Sequence, residues 1–140
     1  MKAEAYLKQI EDCECKIKNT VEEIQRLEAL ADNISPHLAE VKVASTPNPH
    51  RAQEVWTRLI DARDELFDEV DELLDLKLEI MRTLKMLPAE CYDVLYRIYV
   101  LLKPVQRVAD EMRYTRQAIY YTRDRGLEEL QKILDAREKF

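Results

Sequence analysis

Apolar residues recur every seven positions through two long stretches of this chain, a period that suits long packed helices and little else. Between Lys2 and Asn33 one column holds Ala3, Ile10, Ile17, Ile24 and Ala31, and a second holds Tyr6, Cys13, Thr20, Leu27 and then Ile34. Thr20 is the one polar member and weakens the seam locally. From Arg51 to Leu87 the period resumes, with Ala52, Leu59, Leu66, Leu73, Ile80 and Leu87 in one column and Val55, Ala62 and Leu76 in the other.

The second stretch carries more apolar surface than one neighbour can cover. Beside its columns lie Trp56, Ile60, Phe67, Val70, Leu74, Met81 and Leu84, a face wider than a two-helix seam. The reading is that the first helix folds back on the second and that the surplus takes a second copy of the chain. Leu59, Leu66, Phe67, Leu73, Leu74 and Ile80 are the candidate oligomerisation residues.

Prolines divide the chain. Ser35-Pro36 and Thr46-Pro47-Asn48-Pro49 predict a connection over residues 35–50, mobile around Lys42 to Asn48, because proline has no N–H for the helix ladder and pushes its predecessor toward extended geometry. Pro88 ends the second long helix and opens another, expected over Ala89 to Leu102. Lys103-Pro104 breaks the chain again. A short helix from Pro104 to Met112, a turn at Arg113-Tyr114 and a last helix from about Thr115 toward Arg137 complete the expectation, with Thr115 as its N-cap. The fold class is therefore all-α: a long antiparallel helical hairpin (residues 1–87) followed by a C-terminal helix-turn-helix domain (residues 88–140).

Composition agrees. Charged residues make up 36% and hydrophobic ones 46%, with one glycine in 140 residues, which leaves few turn residues for a β-protein. The net charge of −6 argues against a general nucleic-acid coat, but it is unevenly spread. From Arg97 to Arg125 there are seven Lys/Arg against three Asp/Glu, a basic patch on an acidic chain.

Val105 to Asp124 (VQRVADEMRYTRQAIYYTRD) fits the physical template of a helix-turn-helix. Val108 and Met112 supply the inner face of the first helix, and Ala109 is small enough for a close crossing. Tyr114 is expected to plug the turn, and Ile119 and Thr122 to face inward. Cys91, Val94, Leu95, Ile98 and Leu102 precede this small core, and Leu127, Leu130, Ile133 and Leu134 follow it. Arg116, Gln117, Tyr120 and Tyr121 then point outward from the end that enters a major groove in this motif. Arg116 suits guanine and Gln117 adenine, while the tyrosines suit thymine methyls or phosphates. Lys103, Arg107, Arg113, Thr115 and Arg123 are the candidate phosphate contacts.

On these residues a resemblance can be stated. Leu87 to Leu134 (LPAECYDVLYRIYVLLKPVQRVADEMRYTRQAIYYTRDRGLEELQKIL) resembles the fourth region of bacterial sigma factors. The whole chain, including STPNPHRAQEVWTRLIDARDELFDEVDELLDLKLEIM, looks like prophage-encoded regulators of Gram-positive bacteria of the ArpU and RinA type. The resemblance implies a double-stranded-DNA-binding homodimer that activates phage late genes, with RNA polymerase as a further candidate partner. The departure is Arg113, where the turn usually carries glycine. It requires a left-handed arginine or a reshaped turn. A rival reading is a DNA-packaging adaptor, since small terminase subunits also join a helix-turn-helix to a helical oligomerisation region.

Other functions find no support in the residues. Cys13 and Cys15 point to different sides of a helix, so Cys13, like Cys91, is expected in the core. His37 and His50 lack ligand-spaced partners, so neither metal nor cofactor is expected. Both serines, Ser35 and Ser45, fall in the connection, no glycine-rich phosphate cradle exists, and no catalytic activity is expected. The carboxylates from Asp61 to Asp75 suit a solvated helix face. Three cysteines, no apolar run beyond Ile98 to Leu102 and no signal peptide point to an intracellular chain with reduced thiols, away from the membrane, and the resemblance implies the cytoplasm of a bacterial host.

Overall fold

In the computed structural model the backbone is described for residues 1–40 and 49–139, and side chains for residues 1–33 and 50–139. Every regular element among them is helical. In chain order these are α1 (Ala3–Glu40), α2 (Pro49–Leu84), α3 (Ala89–Leu95) continued by a π-helical turn (Tyr96–Val100), α4 (Val105–Met112) and α5 (Arg116–Glu138). None of the described helices is long and apolar enough to cross a membrane. The segment expected to be mobile, Lys42 to Asn48, lies outside the described residues.

The first correction concerns Pro36. A loop is expected from Ser35, yet α1 continues to Glu40. A proline inside a helix removes one ladder bond and can bend the helix without ending it. α2 begins at Pro49, inside the connection expected over residues 35–50, which a proline permits because its missing N–H would be unsatisfied at a first helical position anyway.

The chain forms two compact units, one of Cys15–Asp71 and one of Met1–Glu14 with Glu72–Phe140. The expected boundary at 87/88 runs through the second of these. Within Cys15–Asp71, Ile24 and Leu27 of α1 pack with Leu59 and Ala62 of α2, and Leu66 closes over them. Full burial of a leucine such as Leu59 contributes about 1.5–3 kcal/mol. Thr20, the weak point of the seam, is satisfied: its hydroxyl lies 2.8 and 3.0 Å from the two oxygens of Glu69. Arg63 reaches Glu28 at 3.1 Å. That pair is about half exposed and adds little stability. As numbering rises from Thr20 to Glu28 along α1, the partners on α2 fall from Glu69 to Arg63.

The oligomerisation set needs revision. Leu59 and Leu66 are committed to α1, and Leu73 and Ile80 are buried within the single chain. Phe67 and Leu74 do stand exposed. Leu84, read as surplus, is buried too. In Cys15–Asp71 the uncovered apolar residues of α2 are Trp56, Ile60 and Phe67, the last 71% exposed.

In the other unit α1 begins against α2 and α5. The Ala3 N–H donates to Oε1 of Gln131 at 2.8 Å, and Lys77 pairs with Glu14 at 3.1 Å. Gly126 of α5 lies where a Cβ would come 3.2 Å from the Cβ of Cys91 and 3.0 Å from Leu95 Cδ1. The lone glycine is therefore there for a close crossing of α3 and α5. Val94, Val108, Ala109 and Ile119 form the core beneath α4, with Ile98, Val105 and Met112 packed around it.

The π-helical turn explains another difference. An uninterrupted α-helix would carry the buried face from Cys91 through Leu95 and Ile98 to Leu102. The turn inserts one residue, so the Leu101 N–H bonds the Tyr96 carbonyl at 3.0 Å, and Tyr99 and Val100 become buried. Leu102 is exposed and left-handed, with φ 54.

Candidate nucleic-acid interface

The α4–α5 connection is built by local chemistry. Arg113 adopts φ 58, ψ 40, the left-handed arginine that the sequence left as one of two options. This lets the Tyr114 N–H reach back to the Ala109 carbonyl at 3.0 Å, a closure that stops α4. Thr115 then turns extended, and its Oγ1 accepts the Ala118 N–H at 3.1 Å, capping α5. The first turn of α5 contains no carboxylate, so its positive end stays unneutralised by its own helix.

Four side chains emerge from that capped end. Arg116, Gln117, Tyr120 and Tyr121 are all exposed. Ile119 between them is fully buried and anchors the helix. Tyr114 departs from expectation: it is 47% exposed and does not plug the turn. The Val94–Val108–Ala109–Ile119 cluster already fills the space beneath. Thr122 is only half-buried.

Two of the exposed groups are held by neighbours, of which the sequence reading singled out Arg123 but not Gln106. The Arg116 guanidinium donates through Nε to Oε1 of Gln106, and the Gln106 amide donates in turn to Asp110 at 2.9 Å. The Arg123 guanidinium sits 4.9 Å from the centre of the Tyr120 ring and also pairs with Asp124 at 3.0 Å. The spacing of Gln106 and Asp110 is visible in the sequence as an i, i+4 pair. The link from Gln106 to Arg116 requires the folded turn.

The expected phosphate contacts divide. Arg113 is exposed and makes no ion pair among the described residues. Lys103 and Arg107 instead converge with Arg97 on one carboxylate, that of Glu111. Lys103 Nζ lies 2.9 and 3.0 Å from its two oxygens, Arg107 Nε 3.2 Å from Oε1 and Arg97 Nη1 2.5 Å from Oε2. The Lys103 ammonium, followed by the two guanidinium groups, holds the Glu111 carboxyl below the usual carboxylate range. Arg97 is further fixed by Asp93 at 2.9 Å, and its own pKa is raised by that bond. Among the described residues no group of His, Cys, Asp and Glu is arranged to hold a metal.

Comparisons with protein-family models, curated proteins and solved structures gave no match to this chain.

Proposed function

We propose that this chain is a sequence-specific, double-stranded-DNA-binding transcription regulator: a helix-turn-helix formed by α4 and α5, joined to an antiparallel helical hairpin formed by α1 and α2. The observation that carries the reading is the capped, acid-free start of α5, which presents Arg116, Gln117, Tyr120 and Tyr121 together. A helix N-terminus with a guanidinium and an amide on its first turn suits base edges in a major groove. The Gln106 bond to Arg116 limits the rotamers that the arginine must give up on binding.

Dimerisation through α2 belongs to the same proposal. Trp56, Ile60 and Phe67 fall on one stripe of α2, roughly 105° around the helix from Leu59, Ala62 and Leu66 at 3.6 residues per turn. Exposed apolar residues grouped in this way mark an interaction surface. Two copies joined there would present two reading helices to paired half-sites. On the resemblance to phage regulators, late genes would be the target and RNA polymerase a second contact.

The test is selection from a randomised duplex pool followed by footprinting. One sequence should be enriched and protected upstream of a promoter. Arg116→Ala and Gln117→Ala should each cost roughly 1–3 kcal/mol on that sequence and relax preference at one base position. If both variants bind the selected duplex as wild type does, α5 is not the reading helix. A ring of many subunits, with no promoter-proximal footprint, would favour the packaging adaptor.

A further inference from the structure

The Glu111 cluster draws on three elements. Arg97 comes from the π-helical turn, Lys103 from the linker after it, and Arg107 with Glu111 from α4. The linker is shaped for this: left-handed Leu102 turns the chain so that the Lys103 N–H donates to the Arg97 carbonyl at 3.1 Å. Two cation-bearing residues are thus tied together through their backbones before either side chain acts. The Lys103 side chain is 20% exposed, so its ammonium is fixed in place instead of sampling solvent.

Three cations at one point repel each other unless an anion sits among them. Here both oxygens of one carboxylate are used: Oε1 takes Lys103 and Arg107, and Oε2 takes Lys103 and Arg97. A backbone phosphate offers the same kind of acceptor oxygens, and guanidinium forks suit it. The cluster shares α4 with Gln106, the residue that holds Arg116, so it lies on the helix next to the reading end of α5.

We propose that Arg97, Lys103 and Arg107 form a phosphate-binding site that the Glu111 carboxylate occupies in the free protein, as an internal competitor that a nucleic-acid phosphate must displace. The inference rests on the DNA-binding reading for the identity of its ligand. Its consequence is restraint. Cations that share a carboxylate contribute less to indiscriminate binding, and a duplex gains them in full only by displacing Glu111.

The experiment measures binding of the full chain to a duplex of arbitrary sequence by fluorescence anisotropy at several salt concentrations. Four proteins are compared: wild type, Glu111→Gln, Lys103→Ala and the double variant. Glu111→Gln should bind more tightly than wild type, most of all at low salt. Its log–log salt slope should be steeper by about one counterion, so the advantage shrinks about threefold between 50 and 200 mM. Lys103→Ala should weaken binding in both backgrounds, several-fold more in the Glu111→Gln background, where it should abolish most of the gain. Binding by a folded Glu111→Gln that equals or falls below wild type would overturn the proposal. So would an equal loss from Lys103→Ala in both backgrounds.

If Glu111→Gln does not fold, Arg107→Ala can be compared with Arg113→Ala in the otherwise native chain. Arg107, already paired, should cost less than Arg113, which makes no ion pair among the described residues, and equal losses would overturn the proposal. A pyrophosphate titration followed by thermal melting separates this inference from the DNA reading. A larger upward shift for Glu111→Gln than for wild type supports the anion site even if no duplex binds. Equal shifts refute it.

Discussion

The Tyr6 hydroxyl lies 3.1 Å from the Thr83 hydroxyl, in a buried position that joins α1 to α2. Thr83 also donates to the Glu79 carbonyl at 3.0 Å. The Thr83 proton is therefore committed, and Tyr6 must be the donor between the two hydroxyls. The consequence is an asymmetry between two conservative substitutions. Thr83→Val removes the one hydrogen-bond partner that the buried Tyr6 phenol has among the described residues and should cost about 1–3 kcal/mol. Tyr6→Phe leaves Thr83 its carbonyl partner and should cost about 0.5–1.5 kcal/mol. Urea denaturation of both variants tests the order, and a larger cost for Tyr6→Phe would contradict the donor assignment.

Arg113 stands in a conformation that disfavours every side chain. Left-handed geometry costs a non-glycine residue roughly 1–2 kcal/mol, while glycine loses more freedom on folding, about 0.5–1 kcal/mol. Arg113→Gly should therefore leave stability unchanged or raise it by up to about 1 kcal/mol. On the proposed function it should also weaken binding to every duplex by about one counterion. Arg113→Ala separates the two effects, since it loses the charge without easing the backbone. A clear loss of stability in Arg113→Gly would show that the arginine side chain makes a contact worth more than the strain.

Much of this architecture can be read from residue spacing, because a seven-residue period is a property of single helices and survives without tertiary detail. Ile10, Ile24, Leu27 and Leu59 are buried as their columns require, and Thr115 caps α5 as its side-chain chemistry suggests. What escapes the sequence depends on backbone phase or on distant partners. The one-residue insertion at Tyr96–Val100 exchanges Leu102 for Tyr99 and Val100 in the core, and nothing in YRIYVLL announces it. Arg107 and Glu111 are four apart and legible as a pair. That Arg97 and Lys103 join them is decided by the turn at Leu102.

Assembly gives the third expectation. Phe67→Glu combined with Ile60→Glu should leave the helical content intact, because both side chains are exposed in the single chain. On the dimer proposal, light scattering should change from twice the chain mass to one. Leu59→Glu buries a charge without a partner and should unfold the chain instead. Wild-type protein that scatters as a monomer at micromolar concentration would remove the dimer from the proposal.

The cysteines offer a direct probe of burial. Cys15 is exposed, while Cys13 and Cys91 are buried, and burial pushes the Cys91 thiol above its ordinary pKa. A thiol reagent at neutral pH should modify one thiol quickly and the other two only on unfolding. Rapid modification of Cys91 in folded protein would mean that α3 and α5 separate readily around Gly126.

Acid should dissolve the Glu111 cluster in a definite direction. A carboxyl held below its ordinary pKa contributes stability that is fully present above the unfolded value and is lost as pH falls through the folded one. The stability difference between wild type and Glu111→Gln should thus be constant near neutrality, shrink below the ordinary carboxylate range and disappear at lower pH. A difference that grows on acidification would reverse the assignment.

The bond from Ala3 to Gln131 spans 128 positions of chain, whereas Arg63 and Glu28 are 35 apart. Closing a long loop costs entropy before any contact returns it, so the two compact units should form in sequence and not together. Cys15–Asp71 can close once α2 has been made through Glu69, but the Ala3 end of α1 must wait for Gln131 of α5. On a ribosome that means Ala3 stays without its α5 partner until Gln131 has emerged, a window in which a chaperone would find the start of α1. Pulse-labelled hydrogen exchange during refolding should show protection around Ile24 and Leu59 before protection of the Ala3 amide.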